Sequence, residues 1–264
     1  MWSRTALLWF AAGCGRFGFA PGPDPADTGT SPAAYAEVVL ADRPLAYYRF
    51  GEPGGATAFD SSGHGHDAEY RAPRGGTIVW GRPGAVIGDT DTAVEFYGEG
   101  NAGNTSGACA FFPIDVNPWA GDFSVEAWLQ PSGTSLAGWS HALFLWEDYL
   151  VSGFRLGWDP ALTLRFWTDE GGGSTDVHTV ASIRVNAFNH VVLVRTGSEA
   201  RLYLDGVEQL VTPIDYVAPV GDPDRGAGSL HGMPSDGIFD ELAIYAEALS
   251  PARIAAHYQA AGAR

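Results

Sequence analysis

The clearest pattern of apolar and polar positions lies at 123–131, Phe-Ser-Val-Glu-Ala-Trp-Leu-Gln-Pro. Phe123, Val125, Ala127 and Leu129 fall on one face of an extended strand; Ser124, Glu126, Trp128 and Gln130 fall on the other. Pro131 closes it, because proline has no N–H to give to a ladder. A Trp on the second face predicts that this face is covered too, as in a strand central to a packed sandwich. Short apolar runs recur at 45–50, 141–146, 153–158, 162–167, 190–196, 200–204, 207–211 and 238–245, separated by turn-forming residues. In the run 162–167, Leu162, Leu164 and Phe166 alternate with Thr163, Arg165 and Trp167. Gly197-Ser198-Glu199 closes one hairpin, and Asp205-Gly206 supplies a primed two-residue turn into the next strand. The stretch 171–174, Gly-Gly-Gly-Ser, reads as a flexible connection, and 98–108 as a polar loop at a rim. Helix is predicted only for a short lead-in at 34–40 and after Leu249. There Ser250 is the N-cap, Pro251 takes the first helical position and Gly262 ends the helix. Many short strands joined by turns are expected.

Composition narrows the function classes. In 264 residues, 45% hydrophobic and 12% aromatic content is ample for a core, which excludes global disorder. The net charge is −16, every basic residue is arginine, and no basic cluster occurs. Nucleic acid and anionic membrane surfaces are thereby excluded as partners. The excess carboxylate suits solubility and hard cations such as calcium, although any single Asp or Glu reads first as solvated surface.

The N-terminal residues read as processing signals. Arg4 followed by the apolar run 6–12 is an export signal too short to span a bilayer. Ala11-Ala12-Gly13-Cys14 resembles a bacterial lipoprotein box with Cys14 as the lipidated first mature residue, although Ala11 stands where that family carries a larger aliphatic. The alternative is an ordinary signal cleaved nearby. The chain is thus divided into a signal peptide (1–13), a flexible tether (14–34) and one domain (35–264). It is placed outside the cytoplasm, lipid-anchored at the cell envelope or secreted, with no membrane contact beyond the anchor. The second cysteine, Cys109, is expected to remain an unpaired thiol facing the core.

Five segments carry a resemblance. The strand 123–131 resembles the hallmark strand of the laminin-G-like jelly rolls of the concanavalin A-like lectin/glucanase superfamily. So does Gly51-Glu52 followed by Asp60-Ser61-Ser62-Gly63-His64-Gly65-His66, with histidine where Asn is common. The turn Gly81-Arg82-Pro83-Gly84-Ala85 before a strand ending in Phe96 is similar to that family, as is the hairpin 188–209 around His190. The ending 239–258, Phe-Asp-Glu-Leu-Ala-Ile-Tyr through Leu-Ser-Pro to Tyr258, matches as well. The resemblance runs from Leu45 to Tyr258. It implies an all-β, two-sheet antiparallel jelly-roll sandwich with a short C-terminal helix. It also implies non-catalytic recognition of a glycan. The alternatives are a structural or adhesive domain binding a cell-surface protein, and a glycoside hydrolase of the same superfamily.

The residues themselves argue against hydrolysis. Retaining glycosidases set two carboxylates about 5–5.5 Å apart. Glu126 stands alone on its strand, and Glu147-Asp148, Asp169-Glu170 and Asp240-Glu241 are adjacent pairs, which a regular strand sends to opposite faces. Sugar binding needs an aromatic face and planar polar groups. Trp139, Trp146 and Trp158 with Asp148 and Arg155 are the predicted ligand set, with Trp119 and Asp159 nearby; Trp128 and Trp167 are assigned to the core and His190 to structure. His64 and His66 are rejected as a zinc site, since flanking glycines leave them too few convergent ligands. A structural calcium is expected to join the Asp60 turn to Asp240, the alternative being that Asp240 only holds a loop.

Overall fold

A computed structural model of the chain describes residues 32–98, 107–132, 141–148, 152–170, 174–215, 217–219, 221–230 and 235–262. In chain order the strands are β1 (Ala46–Tyr48), β2 (Thr57–Ala58), β3 (Ala68–Arg71), β4 (Thr77–Pro83), β5 (Thr92–Tyr97), β6 (Cys109–Phe111), β7 (Phe123–Pro131), β8 (His141–Asp148), β9 (Ser152–Trp158), β10 (Thr163–Glu170), β11 (Ser174–Ser182), β12 (Asn189–Thr196), β13 (Glu199–Leu204), β14 (Val207–Pro213), β15 (Asp224–Gly228) and β16 (Gly237–Tyr245). Helices α1 (Pro32–Ala41) and α2 (Pro251–Ala260) flank them. The first sheet runs β14-β13-β12-β7-β16-β5-β4, with β1 also on β16; the second runs β11-β10-β9-β8-β15-β6-β3-β2. This is the expected all-β, two-sheet antiparallel jelly-roll sandwich with a C-terminal helix.

Strand β7 sits between β12 and β16, and its two faces enter two different cores. Phe123, Val125, Ala127 and Leu129 pack between the sheets, where Trp119, Phe123, Phe144, Trp146 and Phe154 form an aromatic cluster. Trp128 lies on the outer face in a second core with Tyr35 and Val39 of α1 and Ile254 of α2. Its indole N–H donates to Tyr35 Oη at 2.9 Å, which ties α1 to the sheet. The strand is therefore covered on both faces, as its Trp predicted. Helix α2 starts as expected, with the Ser250 hydroxyl accepting from the Arg253 N–H. Asp205 and Gly206 both have positive φ (52° and 77°), the signature of the primed turn.

Three local expectations change. Strand β4 continues through Gly81-Arg82-Pro83, with a bulge after Val79, so the turn falls later than expected. Helix α1 begins at Pro32, inside the stretch read as tether. The third change affects function. In β16 the register with β7 slips between Asp240 and Ala243, and Glu241 takes φ 50°. This bulge stands where the neighbour of β16 changes from β5 to β1. Phe239 and Leu242 both stay in the inter-sheet core, so Asp240 and Glu241 turn out together on the opposite side. The expectation that they lie on opposite faces is corrected.

Candidate functional site

The outer face of the second sheet collects planar polar groups around one aromatic ring. In β10, Leu164 and Phe166 face the core, which leaves Thr163, Arg165 and Trp167 outside. In β9, Phe154, Leu156 and Trp158 face the core and Arg155 points out between glycines. The register sets Trp167 opposite Arg155 on one side and Asp176 on the other, with Arg165 opposite His178. The guanidinium carbons of Arg155 and Arg165 lie 5.4 and 4.7 Å from the Trp167 ring centroid, within cation–π range. Trp167 itself is 6% exposed.

The guanidinium of Arg165 is oriented by Asp176, with Nε to Oδ1 at 2.8 Å and Nη2 to Oδ2 at 2.6 Å. That hydrogen-bonded pair holds the Asp176 carboxyl below its usual range. Burial pushes Asp159 upward, but hydrogen bonds from the Thr163 hydroxyl and N–H and the nearby His178 ring outweigh it. Both carboxylates therefore stay ionised as acceptors. Farther along the same face, Phe111 of β6 is flanked by Arg71 at 3.5 Å and Arg225 at 4.6 Å. Arg71 is itself bound to Glu69 at 2.6 Å. The face thus offers fixed, largely charge-balanced planar donors and acceptors beside flat rings.

The predicted ligand set is only partly assembled. Trp146 and Trp158 are corrected: both are buried in the inter-sheet core, Trp146 with its ring 4.9 Å from Trp119, so neither presents a face to a ligand. Arg155 does face outward. Asp148 ends β8 opposite Ser152, but its side chain, like Trp139 and Cys14, lies outside the described residues. Trp167, assigned to the core from sequence, is on the outer face, where the alternation with Thr163 and Arg165 had already put it. Cys109 also faces this side, buried against Leu230 and Phe111 and not in the inter-sheet core.

Asp60 and Asp240, the two carboxyls expected to share a calcium, each take hydrogen bonds from their own surroundings. Asp60 accepts two hydrogen bonds on each oxygen, from the N–H groups of Tyr47, Ser62 and His66 and from the Ser62 hydroxyl. A carboxylate has roughly four lone-pair sites, so the turn saturates it. Asp240 accepts the Ala85 N–H at 2.7 Å through Oδ2, while Oδ1 is buried without a partner. Burial, then the neighbouring Glu241, raises its pKa well above the carboxylate range. Among the described residues no three His, Cys, Asp or Glu side chains converge as metal ligands.

The outer face of the first sheet holds a buried polar junction. Glu126 accepts from Tyr245 Oη at 2.6 Å and meets His257 Nδ1 at 2.9 Å. His257 Nε2 in turn lies 2.8 Å from Asp42, which also binds Arg253. His190 Nε2 is 3.4 Å from Glu126 without hydrogen-bonding geometry. Glu126 and His257 have no exposed surface, so the junction fastens α1 and α2 to β7 and is closed to a substrate.

Comparison with known proteins agrees with this architecture. Residues 102–255, more than half of the chain, match a laminin G family described as the concanavalin A-like lectin/glucanases superfamily. No curated protein sequence matches the chain. Among solved structures, a Trypanosoma rangeli sialidase in complex with 2,3-difluorosialic acid is 15% identical at a TM-score of 0.58, over 82% of this chain and 32% of its own. A receptor binding domain is 13% identical at 0.60, over 86% of this chain and 53% of its own. The binding domain of Paraclostridial Mosquitocidal Protein 1 is 15% identical at 0.58, over 83% and 52%. This chain therefore spans about a third of the sialidase and about half of each binding domain, and the likeness at these identities is one of fold.

Proposed function

The chain belongs to the concanavalin A-like lectin/glucanases superfamily, and from that premise we propose that it is a non-catalytic module that binds a neutral glycan on the outer face of its second sheet. The observation that carries this reading is the Arg155–Trp167–Arg165 array, with Asp176, Asp159 and His178 beside it. Guanidinium and carboxylate groups held at fixed angles match the paired hydroxyls of a sugar ring, and the largely covered Trp167 ring beneath them holds the two guanidiniums in place. Arg165 and Arg71 already hold carboxylates, and the whole chain carries −16, so the field disfavours an acidic glycan. The carboxyls of Glu126, Asp240 and Glu241 are buried on the other sheet, out of reach of a sugar on this face. Two solved neighbours named as binding domains fit the same reading. The pattern at residues 4–14 supports presentation outside the cytoplasm through an acylated Cys14.

A glycan array followed by affinity electrophoresis of Arg155→Ala and Trp167→Phe tests it. Binding to a neutral glycan that weakens in both variants is expected. Absence of any glycan ligand, or retention of full affinity in both variants, overturns it.

A further inference from the structure

On the other side of the molecule, a cavity of about 400 Å³ opens where the end of α2 meets the first sheet. That volume falls within the ~300–1,000 Å³ of small-ligand sites. Its apolar walls are Trp128, Phe188 and Tyr258, and its polar ones include Gln130, Arg184 and Asn186. Gly84 and Gly262 also line it and contribute no side chain. A Cβ on Gly84 would meet Asp240 Oδ2 and the Asp91 carbonyl at 3.1 Å, so a side chain here needs its neighbours to give way.

The cavity is built on rigid supports. Trp128 is held by its hydrogen bond to Tyr35, and the Tyr258 ring stacks on it at 5.9 Å and 16°. The 184–188 turn is pinned from below by buried Asn189. Its amide nitrogen donates to the carbonyls of Leu129, Arg184 and Ala187, and its oxygen accepts the Arg184 N–H. Arg184 then donates to Asp205 and to the Phe188 carbonyl, both at 2.6 Å. A wall fixed in this way loses little freedom when a ligand enters.

We propose that this cavity is a second saccharide site, separate from the first, which takes the end of a neutral glycan. The ligand class follows from the lining. The charge of Arg184 is already met by Asp205, so no unpaired cation remains to select a phosphate or carboxylate. The amides of Gln130 and Asn186 and the α2 C-terminal end disfavour a purely apolar ligand such as an acyl chain, whereas rings beside amides suit the faces and hydroxyls of a pyranose. The glycan class rests on the functional reading above; the site itself does not. Because the two sites lie on the outer faces of opposite sheets, occupancy of one leaves the other open.

Calorimetric titration of the full chain with short neutral glucose, mannose and galactose oligosaccharides, with Ala187→Trp and Arg155→Ala in parallel, tests this. Ala187→Trp fills the cavity from its half-buried rim. Gln130→Ala with Asn186→Gly removes both amides and leaves the left-handed backbone at 186 (φ 55°) unstrained, which covers the case where the Trp variant fails to fold. We expect two binding events, one that weakens by about tenfold or more in the cavity variants and persists in Arg155→Ala, and one that does the reverse. Binding lost only in Arg155→Ala and unchanged in the cavity variants overturns the second site and leaves the first standing. Binding lost only in the cavity variants supports it and overturns the first. No binding by any form overturns both.

Discussion

Replacing Glu126 by Gln isolates the charge at the junction of β7, α1 and α2 while keeping its volume. In the native chain the carboxylate faces His257 at 2.9 Å, and His257 faces Asp42 at 2.8 Å, with Glu126 and His257 wholly buried. Burial pushes the Glu126 pKa up, but His257 and His190 outweigh it and hold it far below the carboxylate range. Burial likewise lowers His257, and Glu126 and Asp42 outweigh that, so the ring is held as a cation. Removing one partner of a buried pair costs about 3–5 kcal/mol. The Gln oxygen still accepts from Tyr245, which puts the expected loss near the lower end, ~3 kcal/mol. For a domain of this size that is a drop of about 6–12 °C in Tm.

The pH profile separates this charge effect from simple mispacking. The Glu126 pKa is depressed on folding, so its contribution is complete above the unfolded value of ~4.3 and is lost as pH falls through the folded one. The His257 pKa is raised, so its contribution is complete below ~6.5 and is lost as pH rises through the folded value. The pair therefore stabilises most between about pH 4.5 and 6.5, and Glu126→Gln should flatten both limbs. Urea unfolding of wild type, Glu126→Gln, His257→Gln and the double variant across that range measures it. A coupling of about 2 kcal/mol is expected. A loss below about 1 kcal/mol at pH 6, or an unchanged profile, would refute an ionised junction.

Glu241 predicts the opposite slope. Its burial beneath the bulge, only partly countered by Arg49 and Tyr47, raises its pKa to about 7. The native state thus binds this proton more tightly than the unfolded chain, and stability should decline from about pH 4.5 to 7. Glu241→Gln should lessen that decline, leaving the part owed to buried Asp240, and a variant with an unchanged decline would sink the assignment. Cys109 is also buried, its thiol pushed up to about 12, so a disulfide reagent at pH 8 should modify it only as fast as the domain opens. Rapid stoichiometric labelling of folded protein would contradict its burial. Mass spectrometry of the mature N-terminus should find Cys14 diacylated with the preceding residues removed; an unmodified Cys14, or a Cys14–Cys109 bridge, would rule out the lipid anchor.

The sandwich was legible because its strands carry their own period. The alternation at 123–131 assigns every side chain of β7 to the correct face, and the Trp on its second face correctly implied a further layer. Turn chemistry was equally local: Asp205-Gly206 and Ser250-Pro251 each state their conformation within two residues. The binding residues were harder to read because Trp is ambiguous. Trp146 and Trp158 share the inward parity of Phe144, Phe154 and Leu156, so parity predicts their burial. Trp167 sits on the outward parity and is flanked by two arginines, from β9 and β10. Size alone argued for the core, but parity argued for the surface, and parity prevailed.

Asp240-Glu241 shows where local reading must fail. Two adjacent carboxyls in a regular strand point apart, and no residue in 237–245 announces a bulge; there is no Gly or Pro after Gly237. The bulge arises from elsewhere in the chain. β5 pairs with the first half of β16 and β1 with the second, and the strand must shift between them. The extra residue is Glu241, held at positive φ while its carboxylate accepts from Tyr47 and Arg49. Those two donors come from a segment nearly two hundred positions earlier in the sequence. The same shift brings Asp240 to the Ala85 N–H, the residue after Gly84 in the wall of the second cavity. The cavity thus depends on a strand irregularity that only the assembled sheet specifies, whereas the Arg155–Trp167 face follows from parity along single strands.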